Sequence, residues 1–520
     1  MSIQAALSRR ALLQAAALLP ALAGCAPSAA RISQSVFTLG VASGDPAPDG
    51  VVLWTRLCVD PLGPTGYGLP PGPLLVHWEV AHDQEFRRLA AHGMASAAPE
   101  RAYAVHVEVQ GLEPLREYFY RFRLGSEYSP VGRTKTLPEA AADVGWLRFA
   151  FVSCSDYQAG FFNAYRHLAE EELDFILHLG DYIYEYGPEG NGPRRHNGPE
   201  VVTLDDYRRR YALYRADPDL QAAHAAAAWI AVPDDHEVEN NYAAQWAEER
   251  LSSEAPVTPA DFLRRRAAAY QAYYENMPLR RSSLPRGSQM QLYRRFGFGR
   301  LARFSMLDTR QYRSDQPCGD GFQPPAHCPA RAAENGTLTG PEQERWLLEG
   351  LANSPARWNV TGQQVMLAQF LWPLPGGAAL NLDGWDGYAA GRSRLLGFLQ
   401  ERRPSNPVIL TGDIHSAWVH DVLADFDRPE SAVLATELVT TSLSAEFPEA
   451  ALDAVALSLS HNPHTRYFHG AERGYARCEV TRESWRTDFR VVNTVLSHAS
   501  QVRTHASFVI EDGQPGARLA

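Results

Sequence analysis

Four apolar runs in this chain each stop at residues able to hold a metal ion. Phe149-Ala150-Phe151-Val152-Ser153 leads into Cys154, and Phe175-Ile176-Leu177-His178-Leu179 leads into Gly180-Asp181. Trp229-Ile230-Ala231-Val232 precedes Asp234-Asp235-His236-Glu237, and Val408-Ile409-Leu410 precedes Thr411-Gly412-Asp413-Ile414-His415. Tyr184 follows Asp181 by three positions. A donor set of thiolate (Cys154), phenolate (Tyr184), carboxylate (Asp181) and imidazole (His415) suits a hard, highly charged ion such as Fe3+ better than zinc alone. Asp181 has two oxygens and can bridge to a second ion, for which Asp235 and Asp413 would complete an oxygen-rich shell. Such a shell favours Ca2+ or another hard divalent cation, with Zn2+ or Mn2+ as alternatives. Two adjacent ions polarise a phosphoryl oxygen and generate a hydroxide, and His236 could then contact the phosphate or protonate the leaving group. Taken singly, each residue has a plainer reading. Cys154 could be packing, Asp181 a turn former, Tyr182 and Tyr184 core aromatics, and His236 a hydrogen-bonding residue. The case rests on their combination.

These side chains need elements to bring them together. In an open α/β sheet, ligands collect beyond the carboxyl ends of the strands, so the four run ends are expected to converge there. Asp413 and His415, two residues apart, would point the same way from an extended segment. Before this region, Val36–Pro138 reads as all β, with β-rich stretches separated by turns such as Asp45-Pro-Ala-Pro-Asp-Gly50. Its length and spacing predict an immunoglobulin- or fibronectin-like sandwich. From Trp146 onward strands alternate with helices. Helices are expected after Cys154, through Phe162, Tyr165, Leu168 and Ala169, and over 204–217, 260–274 and 340–351. The arginine-rich sides of the second and third are expected to face solvent. Gln364–Gln369 is expected as a strand, with Val433–Leu438 and Arg477–Val491 as late strands of a second sheet.

A chain of 520 residues exceeds one ordinary core. The expected divisions are a leader over 1–30, an all-β module over 36–138 and an α/β module over 146–510. A net charge of -11 excludes nonspecific nucleic-acid binding, which needs a basic face. Ser8-Arg9-Arg10-Ala11-Leu12-Leu13, followed by an apolar run to Ala23, is a twin-arginine export pattern. Leu22-Ala23-Gly24-Cys25 resembles a lipobox, which would lipidate Cys25 and attach the protein to a membrane; the alternative is a leader cleaved nearby. Either way the expected location is the periplasm or cell surface. There, Cys318 and Cys328, flanking a Gly/Pro-rich loop, are expected to pair as a local disulfide. Cys58 and Cys478 are either buried thiols or a second bridge.

The spaced blocks also carry a family resemblance. Gly180-Asp-x-x-Tyr184, the acid-His-Glu element at Asp235-His236-Glu237, and Gly412-Asp413-Ile-His415 resemble the calcineurin-like metallophosphoesterases, in whose purple acid phosphatase branch a tyrosine at this offset binds ferric iron. Phe151–Ser155, Leu179–Glu185, Asp234–Val238, Leu307–Arg310 and Leu410–Trp418 match, in order, the PhoD-type alkaline phosphatases. The resemblance runs from about Phe37 to Val491. It implies a four-layer metallophosphoesterase β-sandwich flanked by helices, preceded by the small all-β domain. It also implies a ferric ion on Cys154, Asp181, Tyr184 and His415, with Asp181 bridging to calcium beside Asp235 and Asp413. His236 would sit at the phosphate. Arg310 would be a phosphate clamp or the partner of a structural carboxylate. The implied activity is hydrolysis of small phosphate mono- or diesters by attack of a metal-bound hydroxide. Variants are a phospholipase D-like or teichoic-acid phosphodiesterase on the same fold, and a catalytically inactive surface binding protein. The superfamily's opening Asp-x-His is replaced here by Cys154-Ser155-Asp156, and a histidine for the second metal has no clear counterpart among His461, His464 and His469.

Overall fold

Phe149 sits where two β-sheets meet. Its ring stacks on Phe175 at 5.3 Å and meets Trp485 and Phe304 edge-on at 5.5 and 5.2 Å. Phe149, Phe175 and Trp485 belong to a ten-stranded sheet, and Phe304 to a seven-stranded one. The computed structural model describes residues 35–63, 67–248, 257–374 and 377–520, so the leader and Cys25 lie outside the described residues.

The middle of the ten-stranded sheet is parallel: Trp146–Val152, Phe175–His178, Ala228–Ala231 and Val41–Ala47 lie side by side in that order. Strands Arg473–Thr481, Ser484–Val492, Val502–Glu511 and Gln514–Leu519 extend it antiparallel on one side, and Gly50–Arg56 and Ala104–Gln110 on the other. The seven-stranded sheet runs Arg294–Phe298, Ala302–Met306, Trp358–Gly362, Pro407–Thr411, Val433–Val439, Ala417–Leu423, Thr465–His469. Continuous burial along the central strands fits their apolar runs, because a parallel strand is covered on both faces. Apolar side chains from both sheets form one core cluster. A second cluster packs helices Asn163–Ala169, Leu204–Arg215, Pro218–Ala226 and Pro259–Asn276 on the ten-stranded sheet. A third packs Gly340–Ala352 and Ala389–Arg402 on the seven-stranded sheet.

Among the described residues of 36–138 the regular structure is β apart from one 3-10 turn at Pro99–Arg101, and the strands divide between two sheets. Leu74–Ala81, Leu89–Ala97, Glu117–Leu124, Glu127–Tyr128 and Gly132–Lys135 form a sheet of their own, while Val41–Ala47, Gly50–Arg56 and Ala104–Gln110 join the ten-stranded sheet. Arg477–Val491 resolves into two strands of the ten-stranded sheet, whereas Val433–Val439 lies in the other. Gln364–Gln369 is not a strand. The strand precedes it at Trp358–Gly362, and the Leu367 and Ala368 N–H groups donate instead to the Glu437 carboxylate, each at 2.8 Å.

Helix Leu204–Arg215 starts at a capping box in which Thr203 and Asp206 satisfy each other's backbone N–H. Its arginine-rich side turns inward rather than to solvent. Arg208 pairs with Glu275 through two bonds of 2.6 and 2.7 Å, and Arg265 of the neighbouring helix pairs with Glu239 at 3.1 Å. The two helices pack together here, and these carboxylates offset the cost of burying the guanidinium groups. Cys318 and Cys328 form a disulfide, and Cys58 and Cys478 are buried free thiols.

Two expectations follow. Phe149→Ala removes a fully buried ring from the core between the sheets. It should cost about 3–5 kcal/mol in chemical denaturation. Burial also holds His178 neutral, its pKa pushed down to about 3, and pushes His224 and His420 far down. The unfolded chain takes up these protons below about 6.5, but the folded chain does not until far lower pH. Stability therefore falls as pH drops from about 6.5 toward 3, and thermal melts across this window should show Tm decreasing with each step.

Candidate metal centre

The turns after three of the four strands hold candidate ligands in an uncommon backbone conformation. Cys154, Asp181, Asp413 and His415 all have positive φ, at 61°, 56°, 63° and 57°. Each such residue costs on the order of 1–3 kcal/mol unless its surroundings enforce it. Asp413 and His415 therefore do not share a face of an extended segment. They flank Ile414, whose N–H donates to the Gly412 carbonyl at 2.7 Å in a tight turn. The convergence is also not confined to one sheet: three of the four strands belong to the ten-stranded sheet, and Pro407–Thr411 to the seven-stranded one.

The turns are tied to one another. Cys154 N–H donates to the Gly180 carbonyl at 3.1 Å, and Ser155 N–H to the Asp181 carbonyl at 2.8 Å. The Glu237 carboxylate accepts the N–H groups of Asp181, Tyr182 and Asp234 at 3.1, 2.6 and 2.7 Å, clamping two strand ends together. Gly180 has φ +113°, and a Cβ there would lie 2.3 Å from the Asp234 Cβ. Close approach of these turns requires a glycine.

Within this frame the residues expected to bind one ion come together. Cys154 Sγ lies 3.4 Å from Asp181 Oδ2, and the Tyr184 hydroxyl lies 3.3 Å from Asp181 Oδ2 and 3.0 Å from His415 Nε2. His415 Nδ1 sits 2.9 Å from the Glu446 carbonyl, an arrangement that leaves Nε2 as the free lone pair of the imidazole. Ligand atoms of Cys154, Asp181 and His415 lie within 4.8 Å of one another, as do those of Asp181, Asp235 and His236, and those of Asp234, Asp235 and Asp413. Asp181 belongs to two of these groups. His236 stacks against Tyr184, ring centres 4.2 Å apart, and its Nδ1 meets the Glu185 carboxylate at 2.7 Å.

Arg310 is only 1% exposed and is surrounded by acids. Its guanidinium reaches Asp234 at 2.5 Å, Asp383 at 2.8 Å, Asp235 at 3.4 Å and Asp413 at 3.5 Å. Of the two readings open to Arg310, this geometry favours pairing with carboxylates. Three participants carry no sequence signal of their own. Asp234 and Glu185 lie inside motifs already singled out, next to residues given roles, so proximity was their signal. Asp383 lies in a loop after Gly377–Asn381, and no pattern there points to the centre. Asp156 accepts the Gln158 N–H at 2.8 Å and serves its own turn. None of the three loop histidines enters the centre's ligand groups; His464 Nε2 is engaged by the Gln369 carbonyl at 2.7 Å.

The electrostatics ask for a cation. Burial, reinforced by the neighbouring acids, pushes the Asp181 and Asp234 carboxyls far above the usual range, and burial raises Asp413 to about 7. Burial and Asp181 also push up the Cys154 thiol and the Tyr184 phenol. Burial opposes the Asp235 charge too, but Arg310 and His236 outweigh it and hold that carboxyl low. Burial likewise opposes a charge on His236, and Glu185, Asp235 and Asp181 overcome it, favouring the imidazolium. Asp181 Oδ1 and Asp234 Oδ2 are buried and have no hydrogen-bond partner among the described residues. Unpaired buried oxygens beside a thiol, a phenol and an imidazole fit metal ions, whose charge would repay the cost of ionising these groups.

Comparison with known proteins agrees with this chemistry. A family model described as PhoD-like phosphatase matches residues 149–489, and one for the PhoD-like phosphatase N-terminal domain matches residues 24–138. Alkaline phosphatase D of Bacillus subtilis (strain 168) is 48% identical over 501 residues, spanning 94% of this chain and 83% of that protein. A solved structure of PhoD superposes with a TM-score of 0.88 at 47% identity, covering 94% of this chain and 92% of the other.

Gly180→Ala tests the dependence of the centre on close packing of its turns. The added methyl group should displace Asp181 from Asp234 and sharply lower the metal retained after purification, measured by elemental analysis, while far-UV circular dichroism stays near that of the parent.

Proposed function

The chain belongs to the PhoD-like phosphatase family, and from that premise we propose how its residues divide the work of phosphate-ester hydrolysis. The chain is a metal-dependent phosphoesterase of the alkaline phosphatase D kind. That family membership sets aside the inactive-binding-protein reading. Cys154, Asp181, Tyr184 and His415 are the proposed ligands of Fe3+, and Asp181, Asp235 and Asp413 those of Ca2+. Asp234 lies beside the second set. The observation that carries this assignment is the place of Asp181 in two ligand groups at once, as a bridging carboxylate must be. When bound, such ions supply positive charge against phosphoryl oxygens and acidify a water for in-line attack.

The chain's own groups do the rest. Tyr184 stacks on His236, and Glu185 at Nδ1 fixes the tautomer and steadies a positive charge on the ring. His236 Nε2 is thereby presented to a phosphate oxygen or to the leaving group, to which it would give a proton. Arg310 acts as a positioning residue. It holds Asp234, Asp235, Asp383 and Asp413 in register and offsets their mutual repulsion, rather than reaching out to a substrate phosphate. Glu237 keeps the two strand ends at the spacing the bridge requires.

Small phosphate mono- or diesters are the proposed substrates. The proposed architecture is a four-layer sandwich with helices outside two facing sheets. We further propose modules over 36–138 and 146–510, the first lending three strands to the second's sheet. We also propose export by the twin-arginine route to the periplasm or cell surface, with lipidation at Cys25. No helix among the described residues is long and apolar enough to cross a membrane.

The deciding experiment uses natively exported protein. Elemental analysis should find iron and calcium, and a visible charge-transfer band should vanish in Tyr184→Phe. His236→Ala should lower kcat toward p-nitrophenyl phosphate by about 10²–10⁴-fold with metal content unchanged. A colourless, iron-free preparation of full activity would overturn the ferric assignment.

A further inference from the structure

His469, Glu472 and His505 meet where the end of strand Thr465–His469 comes beside the start of Arg473–Thr481 and strand Val502–Glu511, and none of them belongs to the ligand groups of the centre described above. We propose that these three side chains form a second metal site that binds a divalent transition ion of the zinc type and pins the edge of the seven-stranded sheet to the ten-stranded one.

The geometry carries the proposal. One ligand atom from each residue lies within 4.8 Å of the other two. Glu472 Oε2 is 3.3 Å from His469 Nε2 and 3.6 Å from His505 Nδ1. Zinc bonds to nitrogen and oxygen of about 2.0–2.1 Å place neighbouring tetrahedral ligands roughly 3.3 Å apart, so these separations are already those of ligands around a shared ion. The two imidazoles stack with centres 3.8 Å apart. His469 Nε2 is buried and makes no hydrogen bond among the described residues. Two imidazoles and one carboxylate are a donor set suited to zinc rather than to calcium or magnesium, and they leave a fourth position for water.

The backbone is shaped for the same purpose. Strand Val502–Glu511 pairs Ala506 with Phe489 and Thr504 with Arg490, so His505 is the extra residue of a β-bulge. Bulges re-aim a side chain, and here the one re-aimed is a ligand. His469 is the last residue of strand Thr465–His469, which closes the edge of the seven-stranded sheet. Glu472 precedes strand Arg473–Thr481 of the ten-stranded sheet, and its carbonyl accepts the Thr441 hydroxyl at 2.9 Å. An ion here would thus tie the last residue of the seven-stranded sheet's edge strand to two points of the ten-stranded sheet.

Arg503 is the competing cation. Its guanidinium lies 3.0 Å from His505 Nδ1 and 2.5 Å from Glu472 Oε2, the same two atoms an ion would take. Its side chain is 53% exposed, so it can swing into solvent and yield both atoms.

The test uses the exported, metal-loaded enzyme. After incubation with Zn2+ and desalting, wild type should retain one zinc more than His505→Ala and Glu472→Gln, and Zn2+ should raise the Tm of wild type by a few degrees but of neither variant. With Co2+ in place of zinc, the difference spectrum between wild type and His505→Ala should show tetrahedral ligand-field bands. The paired comparison removes any exchange at the catalytic ions, which all three proteins share. Equal zinc retention and equal Tm response in wild type and both variants would overturn the proposal. It would leave the cluster as an Arg503-bridged ion-pair network.

Discussion

The constraint on which the rest of this structure depends is the gathering of negative or ionisable donors in a largely buried space. Asp181, Asp234, Asp413, Cys154 and Tyr184 would each resist ionising in such a place, and a folded chain normally avoids the arrangement. Here it is tolerated because a single buried arginine, Arg310, is shared among four carboxylates, and because Glu237 satisfies three backbone N–H groups at the point of closest approach. The residual imbalance is what would draw cations to the site. Binding relieves a repulsion that folding has already imposed.

Backbone strain follows from the same demand. Four proposed ligands occupy left-handed conformations that a free chain visits rarely. Parallel strands from the ten-stranded sheet end beside a strand of the other sheet, and only sharp turns can aim side chains from both into one volume. The aromatic core around Phe149 keeps the sheets from drifting apart. Rigidity in that core is therefore a condition of precise ligand placement.

The N-terminal segment shares in this support. Its strands Val41–Ala47 and Gly50–Arg56 extend the ten-stranded sheet beside Ala228–Ala231, the strand that leads to Asp234 and Asp235. Asp45 at its bend receives Arg294 from the first strand of the other sheet at 2.9 Å. A module that carries no proposed ligand thus buttresses a strand that does.

Much of the centre was legible in the sequence, because apolar runs that stop at Cys154, Asp181, Asp235 and Asp413 are local patterns, and local patterns survive in one dimension. Glu185 and Asp234 were visible in the same motifs but carried no separate mark. Asp383 was not legible, since its proximity to Arg310 arises from a loop that returns across the sheet. Nor was the burial of Arg208 and Arg265, which depends on two helices packing together. By itself the sequence determined which side chains could bind metal and which strands would be covered on both faces. Only the tertiary structure decided that the candidate ligands come from two sheets, that Asp413 and His415 converge through a strained turn, and that Arg310 is surrounded by acids. Those outcomes depend on distances between segments far apart in the chain, and residue spacing does not encode such distances.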